Sequence, residues 1–139
     1  MSTPGRRSTL VPGITLAQRE SVLSTDRVVL CVDDDAAMLA LRCLVLSRAG
    51  YAVLTAANGA AALELFRCIQ VDLVITDYWL PGLTGGQLAA EMKRLKPAIP
   101  VVLLSGLVDI PPESEHVDLF IIKGMPVVEF LRQIGKLIS

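Results

Sequence analysis

Short apolar runs alternate with longer segments rich in alanine and leucine along most of this chain. Val28 to Val32 is apolar throughout, a pattern typical of a strand buried on both faces of a parallel sheet. Gly50 suits the end of a helix and Thr84 the start of one. The predicted strands cover 28–32, 51–55, 72–76, 101–104 and 119–122. The predicted helices cover about 36–49, 58–69, 85–96 and 126–138.

Five apolar strands that alternate with helices predict an α/β fold, with a parallel sheet covered on both faces. Right-handed crossovers leave few topologies. One common order is 2-1-3-4-5, the doubly wound, flavodoxin-like arrangement, whose ligands bind beyond the carboxyl ends of strands 1 and 3. Pro111 and Pro112 interrupt the segment between strands 4 and 5, so any helix there is expected to be short or irregular.

The composition narrows the class of protein. A chain of 139 residues, 53% of them hydrophobic, suits one domain with a packed core. A net charge of −1 and 4% aromatic residues argue against binding nucleic acid by itself. No apolar run approaches the ~18 residues that span a membrane. Residues 1–26 contain two Pro-Gly pairs and many serines and threonines, which predicts a flexible N-terminal arm before a domain at 27–139.

The cysteines indicate a compartment. Cys31, Cys43 and Cys68 form no CxxC pair, and the first residues lack the continuous apolar stretch of a signal peptide. An odd number of widely spaced cysteines favours unpaired thiols in a reducing cytoplasm.

Polar side chains follow four of the five predicted strands. The segment 33–35 is Asp-Asp-Asp after strand 1, and the residues after strands 3, 4 and 5 are Asp77, Ser105 and Lys123. Each has an ordinary structural interpretation: Asp35 as a helix N-cap, for example, or Lys123 as a surface lysine. Together they predict more, because converging carboxylates repel one another and Mg²⁺ relieves that repulsion. A lysine and a hydroxyl nearby suit a phosphoryl group.

Four motifs carry a family resemblance. They are Val-Asp-Asp-Asp at 32–35, Asp-Tyr-Trp-Leu-Pro-Gly-Leu-Thr-Gly at 77–85, Leu-Leu-Ser-Gly at 103–106 and Phe-Ile-Ile-Lys at 120–123. In this order, each at a strand end, they resemble the receiver domain of two-component response regulators, in the single-domain form of chemotaxis response regulators. The resemblance spans about Arg27 to Ser139.

The resemblance implies a role for each matching residue. Asp77 is then the phospho-acceptor. Asp34 is a direct ligand of Mg²⁺, and Asp33 binds the ion through water or directly. Asp77 and the backbone carbonyl of Trp79 are the further ligands. Lys123 pairs with the phosphoryl group.

Two further residues match the family's switch. Ser105 hydrogen-bonds a phosphoryl oxygen in the modified state, and Phe120 is the aromatic residue that turns inward in response. One residue departs from the family: Gly124 follows Lys123 where the family has proline, which predicts a less fixed lysine loop.

The predicted function is a phosphoacceptor signalling switch that takes a phosphoryl group from a sensor histidine kinase or a phosphotransfer protein. Such a domain is not an enzyme beyond self-phosphorylation from a donor and slow self-dephosphorylation. The expected output is a separate downstream effector protein, and a second copy of the chain is a further partner that the resemblance allows.

Two alternatives stay open. One is a pseudo-receiver that binds a partner without phosphorylation, which is suggested by Gly124 and by the interrupted segment between strands 4 and 5. The other is a phosphatase of the haloacid-dehalogenase type, which needs a second acid two residues after its nucleophile. That position is Trp79 here, which argues against the phosphatase.

Overall fold

A computed structural model describes residues 26–106 and 116–138 of the chain. Five strands and four helices lie in these ranges, close to the predicted bounds. The strands are β1 (Val28–Val32), β2 (Ala52–Ala56), β3 (Leu73–Asp77), β4 (Val101–Ser105) and β5 (Leu119–Ile122). The helices are α1 (Ala36–Arg48), α2 (Gly59–Cys68), α3 (Gly85–Leu95) and α4 (Val127–Ile138). No strand begins or ends more than one residue from its predicted position. The observed β3 ends at Asp77, whereas the predicted strand ended at position 76.

The five strands form one parallel sheet in the order β2-β1-β3-β4-β5. This confirms the predicted flavodoxin-like topology, with its reversal of order between β1 and β3. Val32 lies opposite Ala56 of β2 and Thr76 of β3, so the residues just after β1 and at the end of β3 share one edge of the sheet.

Alternation along the strands divides the core between the two faces of the sheet. Leu30 of β1 packs with Phe66 of α2 and Met92 of α3, whereas its neighbour Cys31 faces the cluster that includes Leu46 of α1 and Ile134 of α4. Successive side chains of a strand point to opposite faces. The central strand β1 is accordingly apolar at every position, and β3 becomes polar only at its carboxyl end, at Thr76 and Asp77.

The opposite edge of the sheet is held by two aspartates that each precede a strand. Asp72 Oδ2 accepts the N–H of Val28 at 2.7 Å, and Asp118 Oδ2 accepts the N–H of Val101 at 2.7 Å. Each carboxylate thus satisfies the first N–H of a neighbouring strand, which would otherwise be left without a partner.

Two predictions fall on residues outside the described ranges. These are the N-terminal arm, apart from Asp26, and the helix between β4 and β5, whose segment 107–115 is not described. Among the described residues, the helices are all too short or too polar to cross a membrane.

Candidate functional site

Three carboxylates meet at the carboxyl edge of the sheet. Asp33, Asp34 and Asp77 each place an oxygen within 4.8 Å of the others'. Asp33 and Asp77 are buried and Asp34 is exposed. The parallel pairing of β1 with β3 produces this cluster, since both strands end at the same edge.

The turn after β1 fixes the first two acids. The Asp33 N–H donates to the carbonyl oxygen of Ala56 at 3.1 Å, extending the pairing of β1 with β2. Asp33 Oδ1 accepts the N–H of Asp35 at 2.9 Å. Asp35 is the N-cap of α1, its side chain accepting from the N–H groups of Ala37 and Met38. Asp35 therefore has the ordinary structural role, while Asp34 stays free to face solvent.

Asp77 is held by a close approach of α3. The N–H of Gly85 donates to the carbonyl oxygen of Tyr78 at 2.6 Å. A Cβ atom on Gly85 would lie 2.2 Å from the backbone oxygen of Asp77, so only glycine fits there. A capping box between Thr84 and Gln87 sets the start of the helix. Gly85 was not among the predicted site residues, and its position at the start of a predicted helix was the available signal.

Lys123 reaches the cluster from the end of β5. Its Nζ lies 2.7 Å from Asp77 Oδ1 and 4.0 Å from Asp33 Oδ2. The Lys123 N–H donates to the carbonyl oxygen of Ser105 at 2.8 Å, which ties its backbone to β4. Gly124 has φ +99°, a left-handed conformation that glycine adopts easily and that proline's ring forbids.

The Asp77 carboxyl group is harder to ionise in the folded protein than in water. Burial raises the pKa of the Asp77 carboxyl above its ordinary value, and the charge of Asp33 raises it as well, against the opposing effects of Lys123 and Arg42. The Lys123 ammonium lies 2.7 Å from Oδ1, and this contact is the main influence that lowers the pKa again. The buried Oδ1 atom is thus already paired with one cation.

A second cation, which was not predicted, lies beside the acids. Arg42 of α1 is 7% exposed, and its Nη1 lies 2.8 Å from Asp33 Oδ2. The alanine- and leucine-rich pattern of α1 predicts core packing for this segment. One arginine inside that pattern was the signal, but its reach to Asp33 depends on the fold.

The other predicted site residues, Ser105, Phe120 and Trp79, lie in different settings. Ser105 is buried at the end of β4, and Phe120 is half-buried opposite Leu103 on the neighbouring strand. Ser105 and Leu103 are two apart, so Phe120 lies on the same face of the sheet as Ser105. The Trp79 side chain is 59% exposed, with its ring edge-on to Tyr78 at 4.8 Å.

The donor set fits Mg²⁺. It consists of oxygen atoms from Asp33, Asp34 and Asp77, and hard cations such as Mg²⁺ bind a few carboxylates together with water and phosphate oxygens. The convergence of three carboxylates, with ligand atoms within 4.8 Å of one another, is the observation that favours an added cation most directly.

Comparison with known proteins agrees with the fold. The family model described as the response regulator receiver domain matches residues 29–125. The transcriptional regulatory protein GlrR of Escherichia coli is 42% identical over 82 residues, which are 59% of this chain and 18% of GlrR. The chain thus spans less than a fifth of that relative.

Solved structures give the same result. The response regulator TrrA of Thermotoga maritima, in complex with Mg²⁺-BeF, is 30% identical with a TM-score of 0.77, and the match covers 81% of this chain and 99% of TrrA. TrrA in complex with the histidine kinase ThkA matches with 30% identity, a TM-score of 0.76 and the same coverage. By its sequence and its fold, the chain belongs to the response regulator receiver domain family.

Proposed function

We propose that this domain is a phosphoacceptor switch in which Asp77 takes a phosphoryl group. The observation that carries the proposal is the buried Asp77 carboxylate, which faces Lys123 at 2.7 Å and shares the carboxyl edge of the sheet with Asp33 and Asp34. A nucleophile and cations that meet at one point are what transfer of an anionic group to a carboxylate requires.

The transfer is an in-line displacement. An oxygen of Asp77 attacks the phosphorus of the donor, an O–P bond forms, and the bond from phosphorus to the leaving group breaks with its electron pair leaving on that group. Asp77 attacks as the carboxylate, so no proton has to be removed from it. Lys123 neutralises charge that gathers on the phosphoryl oxygens. The product is an acyl phosphate.

Asp33, Asp34, Asp77 and the backbone carbonyl of Trp79 are the proposed holders of Mg²⁺. When bound, the ion supplies positive charge that offsets the repulsion between the carboxylates and the incoming phosphoryl oxygens. The Mg²⁺-BeF complex of TrrA supports this assignment, since TrrA has the same fold.

The proposed response begins at Ser105 and Lys123. The new phosphoryl oxygens accept a hydrogen bond from the Ser105 hydroxyl and pair with Lys123, which biases the ends of β4 and β5 toward a second arrangement. Phe120, on the same sheet face as Ser105, is the proposed aromatic residue of this switch.

The proposed donor is a sensor histidine kinase or a phosphotransfer protein, and the complex of TrrA with ThkA supports a kinase. The proposed output is a separate effector protein. The proposed compartment is the cytoplasm, which agrees with three free cysteines, one of them buried in β1. We assign the receiver domain to residues 27–139.

The experiment is incubation of the purified protein with Mg²⁺ and a small phosphodonor, followed by intact mass measurement. The expected result is a gain of one phosphoryl group that is lost in Asp77→Asn and kept in Asp26→Asn, which removes a carboxylate before β1. No gain in the unaltered protein, under conditions in which it is folded, would favour the pseudo-receiver. Steady hydrolysis of a generic phosphoester would favour the phosphatase.

A further inference from the structure

Arg42 is a buried cation that the proposed chemistry does not use. It lies in the interior of α1, and it lines a cavity of about 130 Å³ together with Lys123 and mostly apolar residues such as Met38, Val45 and Leu104. A guanidinium in such surroundings is costly unless it is paired. Arg42 forms an ion pair with Asp33, in which Nη1 lies 2.8 Å from Asp33 Oδ2. The side chain is therefore oriented toward the acidic cluster.

Arg42 changes the charge of the site. Three carboxylates face two cations, Lys123 and Arg42, so the cluster carries one net negative charge. Without Arg42 it would carry two. A divalent cation is attracted less strongly to the cluster as it stands.

Arg42 also contacts one carboxylate of the acidic cluster directly. Asp33 Oδ1 accepts the N–H of Asp35 at 2.9 Å, and Asp33 Oδ2 faces Arg42 at 2.8 Å and Lys123 at 4.0 Å. Both oxygens already have partners, so an ion that binds Asp33 shares a carboxylate whose charge the guanidinium already offsets.

We propose that Arg42 is a built-in counter-cation that orients Asp33 and competes with Mg²⁺ for its carboxylate. The domain then keeps its acidic site assembled without metal and binds Mg²⁺ more weakly than the same three acids would alone. Arg42 is a positioning residue, since it acts through Asp33. The inference rests on the proposed function, because it assumes that these acids are the Mg²⁺ ligands.

The test compares Mg²⁺ affinities of four proteins: the unaltered chain, Arg42→Met, Arg42→Lys and Arg48→Met. Met replaces the guanidinium with an uncharged chain of similar length, and Lys keeps the charge. Arg48→Met is the matched control, because it removes the same charge from the exposed end of the same helix. Calorimetry at fixed ionic strength gives the affinity. Fluorescence of Trp79, the one tryptophan in the chain, gives a second readout.

Arg42→Met is expected to bind Mg²⁺ about ten-fold more tightly or better, from the loss of one unit charge within a few ångströms of the ion. Arg42→Lys is expected to stay nearer to the unaltered protein, and Arg48→Met to match it. Equal or weaker Mg²⁺ binding by Arg42→Met would overturn the inference while leaving the proposed metal site in place. Absence of Mg²⁺ binding in every protein would overturn the metal assignment as well.

Loss of the ion pair leaves Asp33 buried without its partner, so Arg42→Met can unfold. In that case Mg²⁺ is expected to restore the far-ultraviolet circular dichroism of the folded chain, because the ion replaces the missing cation. Arg42→Gln, which keeps a hydrogen-bond donor and lacks the charge, carries the same prediction of tighter binding. If Mg²⁺ fails to refold Arg42→Met and Arg42→Gln binds no more tightly than the unaltered protein, the inference is wrong.

Discussion

The Nζ of Lys123 lies 2.7 Å from Oδ1 of Asp77, a buried carboxylate oxygen. The pair joins the end of β5 to the end of β3, two strands that are separated in the sheet by β4. A phosphoryl group on Asp77 would bring further negative charge to the same ammonium. The contact therefore links the proposed chemistry to the edge strand of the sheet.

Replacing Lys123 with methionine is expected to slow phosphoryl transfer to Asp77 about 10²-fold, the order of loss seen when one charge-stabilising group is removed from a reaction centre. The pKa of Asp77 is also expected to rise further, because Lys123 lowers it in the present arrangement. The rate of phosphoryl gain by intact mass checks the first effect. Lys136→Met, on the exposed side of α4, is the control and should transfer at the normal rate. An unchanged rate in Lys123→Met would remove Lys123 from the proposed site.

Asp77→Asn is expected to stabilise the metal-free fold at pH 7. Burial raises the pKa of Asp77 above the ordinary value of 3.8, so between the unfolded and folded pKa values the folded state binds more protons. The contribution of Asp77 to the free energy of unfolding is therefore fully present below the unfolded pKa. It is lost as the pH rises through the folded pKa. Asparagine carries no charge, so Asp77→Asn does not lose this stability as the pH rises between the unfolded and folded pKa values of Asp77.

Urea unfolding at pH 7 and at about pH 3, below the unfolded pKa, measures this difference. The gain of Asp77→Asn over the unaltered protein should be present at pH 7 and should shrink in acid. A variant less stable than the unaltered protein at pH 7 would contradict the assignment of a raised pKa to Asp77.

Gly85→Ala is expected to destabilise the fold by about 1–3 kcal/mol, the usual cost of forcing an extra carbon into a packed site. The new Cβ would lie 2.2 Å from the Asp77 backbone oxygen, so the residue that carries the acceptor must move. Phosphoryl gain should fall in the same variant. Gly135→Ala in α4 is the control, since its Cβ would meet its nearest atom, the Tyr51 hydroxyl oxygen, at 3.9 Å. That change should be neutral or stabilising.

Asp118→Ala is expected to cost about 1–3 kcal/mol in the free energy of unfolding, because the Val101 N–H loses its acceptor. Asp118→Asn keeps an oxygen for that N–H and loses the charge that pairs with Lys93 at 2.6 Å, so its loss should be smaller. Chemical denaturation of both variants checks the order. Equal losses would show that the ion pair, and not the strand N–H, is what Asp118 stabilises.

The sequence predicted the strands well because the central strands are buried on both faces and are apolar except at their carboxyl ends. The predicted start of β3 was one residue too early. Asp72 was predicted to lie inside the strand, whereas its side chain accepts the N–H of Val28 on the neighbouring strand. The convergence of Asp33, Asp34 and Asp77 also followed from the strand order.

The sequence did not reveal Arg42 or Gly85. Both act through space, across contacts between α1 and the turn after β1 and between α3 and β3. Their residue types have ordinary interpretations in a helix. Only the register of helix against sheet shows that the guanidinium reaches Asp33 and that Gly85 touches the Asp77 backbone.

The most direct test of the central claim locates the modification. The protein is treated with Mg²⁺ and a small phosphodonor and then with borohydride, which reduces an acyl phosphate of aspartate to homoserine, and its peptides are sequenced by mass spectrometry. Homoserine is expected at position 77, in a yield that depends on the donor. Homoserine at position 33 or 34 instead, or a stable phosphate on a serine or threonine, would contradict it.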